Sequence, residues 1–118
     1  MLHIDGNVAS SRLASEFHVG STVFKQDSFS SEYFYPLLKE WTHYVPLEPS
    51  LRDLDEKLAW AQAHPPKARA IADAAAAFAK QHLHTRSVAC YWWQLLSALA
   101  VLENFEPRTS GALGFHPL

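Results

Sequence analysis

From Ser50 onward the apolar residues return every three or four positions, and the one hard interruption is the pair Pro65–Pro66. That spacing buries a single stripe of an α-helix and does not suit a strand, whose faces alternate at every second residue. Leu51, Leu54, Leu58 and Ala61 mark a first helix, with Ser50 and Asp53 spaced like a capping box at its start. Proline lacks the N–H that a helix interior needs but fits the first helical positions, so Pro65 and Pro66 should end this helix and open the next. Ile71, Ala74, Ala75, Phe78 and Leu83 line that second, alanine-rich helix. Val88, Trp92, Leu95, Leu99 and Leu102 line a third, from about Ser87 to Asn104, before Pro107, Gly111 and Gly114 break the pattern. Residues 1–105 are therefore expected to form one folded unit, with 106–118 as a flexible tail.

Strands are left to the first half. Leu2–Ile4 is a short strand ending in the turn cluster Asp5-Gly6-Asn7, and Ala9–Phe17 follows as a short helix. Ser21–Lys25 contains the strand-favouring triplet Thr22, Val23 and Phe24, with Ser31–Leu38 as the helix after it. His43–Val45 is a third strand, because a residue before proline, here Pro46, is pushed toward extended geometry. The expected fold class is α/β, with about three short parallel strands followed by three helices. No internal repeat is visible.

Composition excludes several function classes. A chain of 118 residues makes one small domain, and 48% hydrophobic with 19% charged residues is too apolar for intrinsic disorder. A net charge of -2 provides no basic field to hold a polyphosphate backbone, so nucleic acid is not an expected partner. No apolar run approaches the ~20 residues of a membrane span, and no basic segment followed by an apolar one opens the chain. The single cysteine, Cys90, rules out an intramolecular disulfide and reads as a packed side chain among Tyr91, Trp92 and Trp93. His82 and His84 are two apart and diverge on a helix, so no metal site is expected. Asp53, Asp55 and Glu56 fall on the first turns of a helix and complement its dipole.

The most informative stretch is Ile4-Asp5-Gly6-Asn7-Val8-Ala9-Ser10-Ser11-Arg12. A glycine turn opening a helix presents backbone N–H groups where a phosphate can be held, and Ser10, Ser11 and Arg12 add hydroxyl and guanidinium donors. That chemistry suits a nucleotide pyrophosphate. A capped surface helix without a ligand uses the same residues, and the spacing matches neither a P-loop nor a dinucleotide fingerprint. Tyr33, Phe34, Tyr35, Trp41 and Tyr44 read as core aromatics, while Trp60, Trp92 and Trp93 are many for so small a domain and suit a partner surface.

Taken in order, Asp5-Gly6-x-Val8-Ala9-x-x-Arg12-Leu13, Val23-Phe24-Lys25-Gln26-Asp27-Ser28, Glu32-Tyr33-Phe34-Tyr35 and Trp41-x-His43-Tyr44-Val45-Pro46-Leu47 resemble the C-terminal part of glycosyltransferase family 90. This family includes protein O-glucosyltransferases and capsule-associated xylosyltransferase-like proteins. The resemblance continues through Lys57-Leu58-x-Trp60-Ala61 and Cys90-Tyr91-Trp92, with one departure at Glu40, where a proline often precedes the tryptophan. It implies the second, nucleotide-binding half of a two-lobed GT-B enzyme with Rossmann-like lobes. Such an enzyme transfers a sugar with inversion from a UDP-sugar to a protein or glycan hydroxyl, without a metal or other cofactor.

Carried over by position, the resemblance implies that Gly6, Asn7, Val8, Ala9, Ser10 and Ser11 touch the UDP-sugar. Arg12 would neutralise the departing diphosphate, and Glu32, opening a helix, would either accept hydrogen bonds from ribose or serve as an N-terminal helix charge. The family's general base and most of the acceptor site belong to a missing N-terminal half, and Asp5 is badly placed to replace the base. The chain is then expected to bind donor and turn over little alone, in a protein of the endoplasmic reticulum or Golgi lumen. The competing expectation is a non-catalytic helical interaction domain derived from such an enzyme.

Overall fold

The computed structural model describes residues 1–8 and 10–103, so Ala9 and the expected tail at 106–118 lie outside the described residues. Three parallel strands, β1 (Leu2–His3), β2 (Phe24–Gln26) and β3 (Val45–Leu47), form one sheet in the order β1-β2-β3. Leu2 is aligned with Phe24, which is in turn aligned with Val45. Helix α1 (Leu13–His18) connects the first two strands, and α2 (Leu54–Ala63), α3 (Pro65–His82) and α4 (Thr85–Leu102) follow the sheet. The fold class is α/β, as the alternation of runs implies.

Several boundaries differ from the sequence reading, each for a physical reason. Pro46 lies inside β3 instead of ending a strand before it. Val45 donates its N–H to Val23 and Leu47 accepts from Asp27, so Pro46 turns its ring nitrogen away from the sheet. An edge strand tolerates that missing donor. The expected helix Ser31–Leu38 is only a 3-10 turn, Tyr35–Leu37, containing Pro36. Tyr33, Phe34 and Tyr35 all pack on one apolar cluster, and three successive residues of an α-helix cannot face the same side. Ser50 and Asp53 form no capping box. Asp53 instead accepts the Glu48 N–H at 3.0 Å, and Leu51 takes a left-handed φ of 59°. The turn before β3 closes without the proline that Glu40 replaces, through Trp41 N–H to Tyr44 O at 2.8 Å and His43 N–H to Lys39 O at 2.9 Å.

The helical periodicity after Ser50 translates into packing most directly in α3. Pro65 and Pro66 occupy its first turn, and Ala68, Ile71, Ala72, Ala75, Phe78 and Ala79 are buried. Small alanines let this helix approach closely. Ala75, Phe78 and Ala79 meet Leu13 and Phe17 of α1 with Val23 and Phe34, while Ile71 meets Phe24, Val45 and Leu47 from the sheet. Tyr33, Tyr35 and Tyr44 lie against the first cluster as expected of core aromatics, whereas Trp41 is exposed. Helix α2 buries no residue fully, and Leu54, Trp60 and Ala61 cover the second cluster.

The chain divides into two compact units, one spanning Met1–Val88 and a second beginning at Ala89. In the second unit the expected stripe exists but is not covered: Trp92, Leu95, Leu99 and Leu102 of α4 are exposed, and Trp93 is 75% exposed. Cys90 is also exposed, which corrects its reading as a packed thiol.

Phe17 shows what the first unit rests on. Its side chain has 0% exposure and stands edge-on to Phe78 with ring centroids 6.4 Å apart. Phe17→Ala should cost about 3–5 kcal/mol through lost transfer energy and a residual cavity. The loss should be read as a lower urea midpoint with an unchanged slope.

Candidate functional site

In parallel α/β sheets, ligands bind outside the carboxyl ends of the strands, because that is where the loops to the next elements converge. Here β1 runs into Asp5 and Gly6, β2 into Asp27 and Ser28, and β3 into Pro49. Backbone groups past a strand end have no ladder partners, so side chains must organise the loops.

Asp5 does most of this. Its Oδ1 accepts the Ser10 N–H at 2.8 Å and its Oδ2 accepts the Ser28 hydroxyl at 2.5 Å, joining the loop after β1 to the loop after β2. Burial pushes its pKa up, but the hydrogen bonds from Ser28 and Ser10, with the His3 and Lys25 charges, outweigh burial and hold it below the ordinary value. Both carboxylate oxygens are engaged. Behind it, His3 is 1% exposed and its Nδ1 pairs with Glu16 at 2.8 Å, tying β1 to α1. His3 Nε2 lies 3.6 Å from Asp5 and makes no hydrogen bond among the described residues.

This clamp corrects the reading of the loop. The Ala9–Phe17 helix is instead α1, six residues starting at Leu13, because the Ser10 amide is taken by Asp5 and residues 11 and 12 form a turn. Arg12 flanks α1 instead of lying within a helix. Its Nε donates to Ser10 Oγ at 3.0 Å and one terminal nitrogen donates to Ile4 O at 3.2 Å. The rest of the exposed guanidinium faces no carboxylate within ion-pair distance among the described residues. Gly6, Asn7, Val8 and Ser11 are exposed along the same loop. The backbone N–H groups of Asn7, Val8 and Ser11 make no hydrogen bond to another backbone group among the described residues.

Glu32 is half-buried and precedes the 3-10 turn, to which its carbonyl contributes by accepting the Tyr35 N–H at 3.0 Å. It therefore opens no α-helix, and the expectation of an N-terminal helix charge is removed with that helix. Burial raises its pKa; the Asp5 charge adds to that rise and His3 partly offsets it, which puts Glu32 electrically beside the clamp.

Two further residues of the site had no assigned contact in the sequence. Ser28 lies 23 positions from Asp5, a separation that no local spacing rule reports. Lys25 is 7% exposed in the middle of β2, with its ammonium 4.6 Å from the Tyr35 ring centroid and 5.7 Å from that of Tyr44. Burial lowers its pKa, and Asp5, Asp27 and Glu40 oppose that only from a distance. The strand-like apolar run around it is the reason a lysine with an inward side chain escapes notice.

A cavity of about 520 Å³ opens at this edge of the sheet, with Asp5, Gly6, Gln26, Asp27, Phe29 and Pro49 in its wall. No group of three His, Cys, Asp or Glu residues among the described residues is placed to hold a metal ion.

The clamp makes a pH prediction. A carboxylate with a depressed folded-state pKa contributes stability that is complete above the unfolded pKa and is lost as pH falls through the folded value. Urea midpoints should therefore fall less steeply below about pH 4 for Asp5→Asn than for wild type. Identical acid limbs in the two proteins would remove Asp5 from this role.

Residues 1–113 match the sequence profile of Glycosyl transferase family 90. Protein O-glucosyltransferase 2 of Danio rerio is 41% identical over 107 residues, covering 91% of this chain and 21% of that protein. Protein O-glucosyltransferase 1 of Homo sapiens is 36% identical over 106 residues, covering 90% of this chain and 27% of its own length. Protein O-glucosyltransferase 3 of Homo sapiens is 34% identical over 116 residues, covering 98% and 23% respectively. The chain thus spans between about a fifth and just over a quarter of the length of these relatives, and with the profile covering nearly all of it, it belongs to glycosyl transferase family 90.

Proposed function

We propose that this chain is the donor-nucleotide-binding part of an inverting, UDP-sugar-dependent O-glycosyltransferase of GT-B architecture. The observation that carries the reading is Arg12. Its guanidinium stands on a loop anchored by Asp5 at the carboxyl edge of a parallel sheet, with donors to spare and no carboxylate within ion-pair distance among the described residues. The backbone N–H groups of the exposed Asn7, Val8 and Ser11, with the Ser10 and Ser11 hydroxyls, add neutral donors along the same loop. Gly6 opens the loop, Ala9 continues the same motif, and Glu32 supplies an acceptor for the ribose hydroxyls.

In the complete enzyme, a base outside this chain removes the proton of a protein or glycan hydroxyl as that oxygen attacks the anomeric carbon. The bond from that carbon to the diphosphate oxygen breaks, and its electron pair leaves with UDP. Charge grows on the leaving phosphate, and a fixed guanidinium with aligned donors stabilises that charge without reorganising. No metal is required for this step if Arg12 supplies the charge. Action within the lumen of the endoplasmic reticulum or Golgi goes with the reading. No helix among the described residues is long and apolar enough to cross a membrane.

The exposed Trp92, Trp93 and Leu96 of α4 favour a second reading, a non-catalytic domain whose helical surface binds another chain.

Titration of the chain with UDP separates the two. The donor reading expects saturable binding that weakens roughly 10- to 100-fold in Arg12→Ala, the worth of hydrogen bonds to a charged partner. In the complete enzyme the same change should lower kcat/KM by about 10² to 10³. A folded chain that ignores millimolar UDP, or an Arg12→Ala protein that binds it unchanged, overturns the donor reading.

A further inference from the structure

Another cavity, of about 440 Å³, lies where the loop before β3 meets the last turns of α3. That loop enters β3 at its amino end, whereas Arg12 follows the carboxyl end of β1. The strands are parallel, so the two places belong to opposite edges of the sheet. Lys39, His43, Gln81 and His82 line the cavity together with the apolar Leu37 and Phe78. No carboxylate among the described residues belongs to its wall. Glu40 follows Lys39 in the chain, but its charge acts on Lys25 and Tyr44 and not on His43.

Both histidines rest on one aromatic ring. The ring centroids of His43 and His82 lie 5.0 and 4.8 Å from that of Phe78, which is itself buried. The Lys39 N–H donates to His43 Nδ1 at 3.0 Å, so the neutral imidazole carries its proton on Nε2. That Nε2–H, both ring nitrogens of His82 and the Lys39 ammonium make no hydrogen bond or ion pair among the described residues. Basic groups from the loop and from α3 thus share one cavity with no acid to balance them. Burial lowers the His43 pKa, and the Lys39 and His82 charges lower it further. An anion placed among these groups would turn their mutual repulsion into attraction.

We propose that this cavity binds an oxyanion, a carboxylate or a phosphate group, with the Lys39 ammonium as its counter-charge and His43 Nε2–H and His82 as hydrogen-bond donors. Leu37 and Phe78 exclude water from part of the wall, which strengthens the attraction beyond that of a lysine in open solvent. A bound anion favours the protonated form of the imidazole it faces, and by reciprocity protonation favours the anion, so affinity rises as pH falls. The site shares no residue with the Arg12 loop and does not rest on the nucleotide reading.

NMR titrations of the chain, read at its histidine ring signals, test this with acetate and with sulfate. One is a carboxylate and the other a tetrahedral oxyanion, and neither changes charge between about pH 6 and pH 8. At least one should shift the His43 and His82 signals saturably and leave that of the exposed His18 unmoved. Saturation by acetate alone assigns the site to carboxylates, and saturation by sulfate alone assigns it to phosphate groups. Affinity should be about fivefold or more higher at about pH 6 than at about pH 8. Lys39→Ala should weaken binding about tenfold, the worth of a hydrogen bond from a charged donor, and Lys39 is exposed, so folding should not suffer. Lys80→Ala, an exposed position on α3 outside the cavity wall, should leave binding unchanged. Signals of His43 and His82 that ignore both anions at tens of millimolar overturn the site. Equal weakening by the two lysine substitutions overturns it as well, since only a diffuse surface charge would then be at work. So does an affinity that is the same at both pH values.

Discussion

One carboxylate holds the carboxyl edge of this sheet together. The strands are two or three residues long, so their ladders contribute few hydrogen bonds, and beyond them the backbone has no regular partner. Asp5 supplies what the ladder lacks, taking an amide from its own loop and a hydroxyl from the loop after β2. A charged acceptor makes stronger hydrogen bonds than a neutral one, and satisfying both oxygens offsets the cost of withdrawing it from water. The His3–Glu16 pair behind it, at 2.8 Å and nearly sealed from solvent, ties the same strand to α1. Position and charge are thus set together at the point where Arg12 emerges.

Below this polar layer the fold depends on α3. It contributes to both apolar clusters, and its buried face is mostly alanine. Alanine loses no side-chain entropy in a helix and lets the axis come close, so larger partners such as Phe17, Phe34 and Phe24 fill the space. Lys25 sits between the layers. A buried ammonium without a close carboxylate is costly, and the faces of Tyr35 and Tyr44 supply part of the stabilisation that water would give.

The sequence made the helices legible and the loops much less so. A 3.6-residue period sustained over α3 specifies a buried face without ambiguity, and Pro65–Pro66 marks its start by chemistry alone. The three strands were legible as β-favouring runs, but their limits shifted by one to three residues, because pairing depends on partners 20 or more positions away. The loop residues from Gly6 to Arg12 were legible as a donor-rich stretch, whereas its conformation was not. Nothing local indicates that Asp5 prefers Ser10 N–H and Ser28 hydroxyl to a helix cap. Ser31–Leu38 failed for a similar reason, since the burial of three consecutive aromatics outweighs helix propensity. The cover of α4 was the opposite case: a clear apolar stripe whose side chains are exposed.

The geometry of the loop bears on where charge stabilisation resides if this edge receives a nucleotide diphosphate. A long helix beginning at Ala9 would have aimed its dipole and its first amides at the phosphates. The observed helix has six residues and starts beyond Arg12, so its aligned dipoles are few, and the Ser10 amide already serves Asp5. What remains is the guanidinium, held at two points by Ser10 Oγ and Ile4 O, with the exposed Asn7, Val8 and Ser11 on the same loop. A guanidinium stays protonated across the physiological range and presents its donors in a fixed plane, whereas an ammonium is a mobile point charge. Lys25, the nearest buried cation, points its charge at tyrosine rings instead of the cavity wall. A cationic group at Arg12, on the loop after β1, and an exposed carboxylate at Asp27, on the loop after β2, thus belong to the same edge of the sheet, and the two loops are joined there by the bond from Ser28 to Asp5.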